Sequence, residues 1–248
     1  MSPLDETSIP HALTQASVTP PGVLPAAVLW DMDGTLVDTE PAWLAAEIEL
    51  VEEFGGTWTE EDSLQMIGLP LTRAAGVLQT YGVDLEVDAI VQRLLGSVVE
   101  SVGRELPWQP GARELLEGLA AAGVPCALVT MSYRELAEAV LAQGPAGVFS
   151  VVVTGDEVTH GKPHPEPYLR AAELLGVDVT ACVAVEDSPP GIASALASGA
   201  RTLGVQHIAP VEPRPGLSRS DSLARIGVED LRAIARGAVI DHLAEPAA

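Results

Sequence analysis

The sequence predicts an α/β fold in which a doubly wound parallel sheet carries a helical cap inserted after its first strand. Several short segments are apolar at every position rather than at alternate positions. This pattern is typical of parallel strands that are covered on both faces. Helical patterns lie between these segments, and such alternation favours a sheet with helices on both sides. The first two apolar segments are separated by far more chain than one crossover helix needs, which indicates an insert.

The predicted core elements follow the chain in a regular alternation. The strands are Ala26–Trp30, Val124–Val129, Phe149–Val153, Cys182–Val185 and Thr202–Val205. The helices are Ala112–Ala122, Arg134–Gln143, Glu166–Leu175, Pro189–Ser198 and Val228–Arg236. The segment Ala209–Ser222 is rich in Pro, Ser and Arg, and it is predicted to be a loop.

The insert is predicted to be helical throughout. Its helices are Ala42–Phe54, Leu71–Tyr81 and Val87–Val102. These place a cap at residues 41–107 and a discontinuous core at residues 25–40 and 108–240. Residues 1–24 are polar and contain four prolines, which predicts a disordered arm.

Charge and composition exclude several classes of protein. Acidic residues number 35 against 13 basic ones, for a net charge of -22, and such a surface repels nucleic acid. No apolar run reaches about 18 residues, so a membrane span is not expected. The amino-terminal residues lack the basic and apolar regions of a signal peptide. Together with two cysteines that are expected to be buried free thiols, Cys126 and Cys182, this predicts a cytoplasmic protein.

Lysine usage singles out one position. Of the 13 basic residues, the only lysine is Lys162, and all the others are arginine. An ammonium group and a guanidinium group meet an anion differently, so the choice of lysine at one place indicates a chemical requirement.

Polar residues cluster in the sequence at the carboxyl ends of the predicted strands, where ligands bind in open α/β sheets. They are Asp31, Asp33, Gly34, Thr35, Thr130, Ser132, Asp156, Lys162, Glu186, Asp187 and Ser188. Clustered carboxylates need a compensating cation, and hard oxygen ligands favour Mg²⁺. A carboxylate close to such a cation is able to attack phosphorus. This set of residues therefore predicts phosphoryl transfer.

Four segments resemble the motifs of the haloacid dehalogenase superfamily. The segment DMDGTLVDT from Asp31 to Thr39 resembles the first motif, and Thr130 resembles the second. Lys162 with its following proline resembles the third, and VEDSPPG from Val185 to Gly191 resembles the fourth. The helical insert after the first motif is similar to that of the subfamily containing β-phosphoglucomutase and phosphoglycolate phosphatase.

The resemblance implies a role for each motif residue. Asp31 would be the nucleophile and a ligand of Mg²⁺. Asp33 would be the general acid and base, and its backbone carbonyl would also bind the metal. Asp187 would bind the metal through its side chain, and Glu186 would be a ligand or would accept a hydrogen bond from metal-bound water. Lys162 would pair with Asp31 and the phosphate.

Substrate contacts are implied at further positions. Thr130 would donate a hydrogen bond to a phosphoryl oxygen. Gly34, Met131 and Ser132 would contribute to a cradle around the phosphate, chiefly through backbone N–H groups. Many relatives carry a small polar residue in place of Met131, so a side-chain contact is not expected there. In the cap, Arg73 would supply positive charge to an anionic part of the substrate.

The function expected from these roles is hydrolysis of a small phosphorylated metabolite by a Mg²⁺-dependent phosphatase, acting as a monomer or homodimer. A phosphosugar mutase of the β-phosphoglucomutase type is the first alternative, and it would need a second anion site in the cap. A haloacid dehalogenase is the second alternative. Asp33 and the Glu186–Asp187 pair argue against it, because that reaction needs neither the second acid nor a metal.

Overall fold

The computed structural model describes residues 24–66 and 69–244. The predicted arm over residues 1–24 lies outside the described residues, except for Leu24. In this described part of the chain, six parallel strands form one sheet in the order β3-β2-β1-β4-β5-β6. The strands are β1 (Val28–Trp30), β2 (Cys126–Val129), β3 (Phe149–Val153), β4 (Val183–Glu186), β5 (Arg201–Val205) and β6 (Leu217–Ser220).

Helices cover both faces of this sheet, which confirms the predicted fold class. The helices that follow the insert are α5 (Ala112–Ala121), α6 (Arg134–Leu141), α7 (Glu166–Leu175), α8 (Pro189–Ser198) and α9 (Val228–Ala235). Successive residues of β1 enter different apolar clusters: Val28 and Trp30 pack on one side, and Leu29 packs on the other. A strand buried on both faces must be apolar at every position, and this explains the continuous runs in the sequence.

Within the described residues, four helices lie between β1 and α5. They are α1 (Glu40–Glu53), α2 (Glu60–Leu64), α3 (Leu71–Thr80) and α4 (Val87–Arg104). We call residues 40–104 the helical insert. Helix α2 was not predicted, because its five residues EEDSL carry too few apolar side chains to show helical periodicity. Its first turn is instead fixed locally by a reciprocal cap between Thr59 and Asp62.

Strand β6 corrects the prediction of a loop over Ala209–Ser222. Its sequence, Leu-Ser-Arg-Ser, contains a single apolar residue, so no strand pattern is visible. Pairing with β5 gives this segment its extended conformation, and Ser218 and Ser220 are buried in the resulting strand. On its other side, the N–H of Arg219 donates to the carbonyl of Ile240 at 2.7 Å.

Two smaller expectations are also answered. Cys126 and Cys182 are both buried free thiols, as predicted. In the part of the chain that the structure describes, no helix combines the length and the apolar character that crossing a membrane requires.

Candidate active site

The sheet order brings the motif residues together. Strand β1 is central, with β2 and β4 as its neighbours, and the strand order runs outwards to β3 on one side of β1 and to β6 on the other. Asp31 follows β1 directly and Thr130 follows β2, while Glu186 is the last residue of β4 and Asp187 the next. The site therefore lies at the topological switch point, where open α/β sheets bind ligands.

Lys162 is the electrostatic centre of the site. Its Nζ donates to Oδ1 of Asp31 at 2.5 Å and to the carbonyl of Val129 at 2.9 Å, and it lies 2.6 Å from Oε1 of Glu186. Burial alone would lower the pKa of Lys162, but the carboxylates of Asp31 and Glu186 outweigh burial and raise it. The lysine is therefore a permanent cation shared between two buried acids.

Glu186 is completely buried, and protein donors occupy both of its oxygens. Oε1 accepts from the hydroxyl of Tyr168 at 2.7 Å as well as contacting Lys162. Oε2 accepts from the N–H groups of Asp187 and Ser188 and from the Ser188 hydroxyl, at 3.2 to 3.3 Å. The structure thus presents Glu186 as a support for Lys162 rather than as a group with a free oxygen.

The start of α8 is built around that glutamate. Ser188 caps the helix by accepting from the N–H of Gly191 at 3.1 Å. A Cβ on Gly191 would overlap the carboxylate of Glu186. Glycine at this position therefore lets the helix approach the strand end closely.

Asp187 faces Asp31 across a short gap that Thr35 bridges. The Thr35 hydroxyl lies 2.8 Å from Oδ1 of Asp187 and 3.2 Å from Oδ2 of Asp31. Burial first, and then the charges of Asp31 and Glu186, raise the pKa of Asp187 well above its usual range. A Cβ on Gly34, whose φ is 82°, would overlap Oδ2 of Asp187.

The donor set fits a divalent metal. Ligand atoms of Asp31, Glu186 and Asp187 lie within 4.8 Å of one another, and all three residues are buried. Burial, followed by the charge of Glu186, raises the pKa of Asp31 to about 7, although Lys162 acts in the opposite direction. Three buried carboxylates against one ammonium leave negative charge uncompensated, and oxygen donors suit Mg²⁺.

Asp33 is held by three hydroxyl groups. Thr39 donates to Oδ1 at 2.6 Å, while Thr130 and Ser132 donate to Oδ2 at 3.1 and 2.8 Å. Thr130 also accepts from the N–H of Ser132 at 2.9 Å. The hydroxyls of Thr130 and Ser132 therefore contact Asp33 here, whereas the resemblance implied a contact of Thr130 with phosphate.

The other predicted substrate contacts differ in their placement. Met131 lines the cavity at the site, and its sulfur accepts from the N–H of Lys162 at 3.2 Å. The N–H of Gly34 donates to the carbonyl of Val37 at 2.8 Å, so the turn already uses this donor. Arg73 is exposed on α3 and is not among the residues that line the cavity. The structure thus does not bring Arg73 to the other site residues.

A cavity of about 120 Å³ lies between the strand ends and the helical insert. On the sheet side, its charged lining residues are Asp31, Asp33, Lys162 and Asp187. On the insert side, the lining includes Glu40, Trp43, Glu47, Ser63, Met66 and Leu71. Burial, followed by the charge of Asp33, raises the pKa of Glu40 to about 7. Burial also raises the pKa of Glu47, against hydrogen bonds from Ser63 and Trp58.

Three residues that complete the site have no role predicted from the sequence: Thr39, Tyr168 and Glu47. Thr39 was part of the recognised motif, but spacing does not show that its hydroxyl reaches Asp33. Tyr168 and Glu47 lie on helices. The sequence of a helix does not show which residue a buried tyrosine or glutamate will contact. Only the packing of α7 against the sheet and of the insert over the strand ends reveals their contacts.

Together, the switch-point position, the paired Asp31 and Lys162 and the acidic cluster define an α/β enzyme with a carboxylate-based site. Residues 28–205 match the family of haloacid dehalogenase-like hydrolases. The chain belongs to this family, which confirms the resemblance inferred from the motifs.

Several known proteins are similar to this chain. A phosphorylated carbohydrates phosphatase of Thermotoga maritima is 34% identical over 187 residues, covering 73% of this chain and 85% of the relative. A bifunctional riboflavin kinase/FMN phosphatase of Arabidopsis thaliana is 31% identical, and the match spans 48% of that longer protein. The crystal structure of CbbY from Rhodobacter sphaeroides in complex with phosphate has a TM-score of 0.77 at 26% identity, covering 84% of this chain and 99% of that chain. Both of these curated relatives bear phosphatase names, in agreement with the predicted class of phosphoric monoester hydrolases.

Proposed function

We propose that the protein is a Mg²⁺-dependent phosphatase that hydrolyses a small phosphorylated metabolite, a sugar phosphate or a similar phosphomonoester, through an aspartyl-phosphate intermediate. The observation that carries the proposal is the buried pair of Asp31 and Lys162, which lies at the floor of the cavity next to Asp33. A carboxylate fixed by a permanent cation is positioned as a nucleophile, and a second acid two residues later serves proton transfer.

The reaction consists of two displacements at phosphorus. In the first, an oxygen of Asp31 bonds to phosphorus, the ester bond breaks, and Asp33 gives a proton to the leaving oxygen. In the second, Asp33 takes a proton from water, the water oxygen bonds to phosphorus, and the bond to Asp31 breaks. Inorganic phosphate is released and both carboxyl groups return to their initial states.

Lys162 and the backbone stabilise the charge during these steps. Lys162 holds Asp31 in position and offsets charge on the phosphoryl oxygens, while Glu186 and Tyr168 hold Lys162. Within the described residues, the N–H groups of Asp33 and Met131 have no hydrogen-bond acceptor, so they are open to a phosphoryl oxygen. Mg²⁺ would be held by the side chains of Asp31 and Asp187 and by the backbone carbonyl of Asp33. Glu186 would act indirectly, through its contact with Lys162. When bound, Mg²⁺ supplies positive charge that offsets the charge of the phosphate.

The alternatives are less well supported. A phosphosugar mutase must hold a bisphosphate, and among the described residues Lys162 is the sole basic group lining the cavity. A dehalogenase has no use for Asp33 or the acidic pair. The proposal further includes a cytoplasmic location, action as a monomer or homodimer, and no nucleic-acid or membrane partner.

The test is phosphate release from a panel of phosphorylated metabolites and para-nitrophenyl phosphate, with Mg²⁺ or with EDTA. We expect turnover only with Mg²⁺, and acid quenching during turnover should trap phosphate on the peptide containing Asp31. Turnover that persists in EDTA, or a phosphate adduct on another residue, would contradict the proposed mechanism.

A further inference from the structure

The two sides of the active-site cavity differ in chemistry. The phosphoryl group must lie at the floor, where Asp31, Asp33 and Lys162 are. The leaving group of the ester therefore faces the helical insert. The polar residues of the insert that line the cavity are Glu40, Glu47 and Ser63, and the remaining lining there is apolar.

Glu47 is a fixed hydrogen-bond acceptor on this side. It is only 4% exposed, and its Oε2 accepts from Nε1 of Trp58 at 2.9 Å and from Oγ of Ser63 at 2.5 Å. Both donors use the same oxygen. Oε1 of Glu47 accepts no hydrogen bond from the residues that the structure describes, although the side chain lines the cavity. This oxygen is therefore left for a ligand.

The partners of Glu47 are themselves held in place. The ring of Trp58 packs edge-on against Tyr81, with ring centroids 4.6 Å apart. The hydroxyl of Tyr81 donates to Oδ1 of Asp62 at 2.8 Å, and Asp62 caps the helix that carries Ser63. Because these contacts lie within the insert, the carboxylate of Glu47 is oriented before any substrate arrives.

Among the described residues that line the cavity, no cation is left for an anionic leaving group, because Lys162 is the sole basic one. The ammonium of Lys162 is already shared by Asp31 and Glu186. In the insert, Arg93 pairs with Glu53 and Arg104 pairs with Glu100, all at exposed positions, while Arg73 lies outside the cavity. The segments outside the described residues contain no lysine or arginine. A second phosphate or a carboxylate would instead lie beside Glu40 and Glu47.

We infer that Glu47 selects phosphomonoesters whose leaving group is an uncharged polyol. Oε1 of Glu47 accepts a hydrogen bond from a hydroxyl of that group, and the Glu47 carboxylate disfavours leaving groups with a second phosphate or a carboxylate. A second anionic group of the substrate without a counter-charge is strongly disfavoured next to a carboxylate. A hydroxyl group of the substrate instead donates a hydrogen bond to Oε1 of Glu47. The inference rests on the proposed phosphatase function and adds the substrate class.

The test compares kcat/KM for a hexitol 6-phosphate with kcat/KM for a hexose 1,6-bisphosphate and for phosphoglycolate, using para-nitrophenyl phosphate as the reference ester. We expect the wild type to prefer the hexitol phosphate by about tenfold or more, and Glu47→Gln to reduce that ratio by about tenfold. Glu49→Gln is the matched control, because Glu49 is exposed on the same helix and its substitution changes the charge equally. A ratio measured on one preparation does not depend on the folded fraction.

The outcomes separate this inference from the proposed function. If the wild type hydrolyses the bisphosphate as efficiently as the hexitol phosphate, or if Glu47→Gln and Glu49→Gln shift the ratio equally, the inference is overturned while turnover of para-nitrophenyl phosphate upholds the phosphatase. A preference for a phosphate ester of an amino alcohol over the hexitol ester also overturns it. Absence of turnover with every ester overturns both. If Glu47→Gln does not fold, the wild-type ratio alone decides.

Discussion

The ammonium of Lys162 lies 2.5 Å from Oδ1 of Asp31, although the two residues are 131 positions apart in the chain. Both side chains are almost fully buried. Glu186 lies on the other side of the lysine at 2.6 Å, so one cation serves two acids. The first three predictions below follow from this pair and its support.

Replacing Asp31 with asparagine should abolish turnover and leave the fold intact. The amide is a poor nucleophile, but it has the same shape and keeps an oxygen that accepts from Lys162. Phosphate release and circular dichroism on the same sample test this expectation. Near-full Mg²⁺-dependent activity in Asp31→Asn would show that another group attacks phosphorus.

Replacing Lys162 with methionine should destabilise the protein by about 3–5 kcal/mol, because Asp31 and Glu186 would lose their buried counter-charge. Lys162→Arg should also lose activity, since a planar guanidinium does not fit a site shaped for a compact ammonium. Urea unfolding without metal measures the first effect. Arg236→Met is the control at an exposed position, and an equal loss of stability there would refute the expectation.

Replacing Gly191 with alanine should lower both activity and stability, because the added methyl group overlaps Glu186 and displaces the support of Lys162. Gly76→Ala is the matched control, since a Cβ there meets no atom within 4 Å. In the middle of α3 that change should stabilise by about 0.5–1 kcal/mol. Similar thermal unfolding of the two variants would contradict this account of Gly191.

Magnesium should raise the thermal unfolding temperature of the wild type and should not do so in Asp187→Asn. A ligand that binds only the native state stabilises it by about 2.7 kcal/mol at a hundred times its dissociation constant. Calorimetry with and without Mg²⁺ gives this readout independently of turnover. Glu173→Gln, an exposed substitution on α7, should keep the full shift.

Glu40 should make stability depend on pH. Its pKa is raised from 4.5 to about 7 by burial first and then by Asp33, so the folded state favours the protonated carboxyl. This contribution to the free energy of unfolding is fully present below about pH 4.5 and is lost as pH rises through about 7, by up to about 3 kcal/mol. Urea unfolding in EDTA should show Glu40→Gln gaining stability relative to wild type between pH 5 and pH 8. An unchanged difference across that range would contradict the prediction.

Much of the core was predictable from the sequence, because buried parallel strands must be apolar throughout. The limits of β3, α7 and α8 agree with the prediction to the residue. Strand β6 was missed because its polar sequence carries no pattern, and its conformation depends on pairing with β5. Helix α2 was missed because it is too short for periodicity to appear.

The sequence by itself determined five of the six described strands, the four motifs and the residue types at the candidate site, since these depend on local patterns and on residue type. Only the tertiary structure decided which groups touch. In the folded protein, Lys162 lies between Asp31 and Glu186, and both oxygens of Glu186 accept from protein donors. Arg73 lies outside the cavity, whereas Glu47 lines it. Contacts of this kind join residues from separate helices and strands, so they depend on how those elements pack and leave no pattern along the chain.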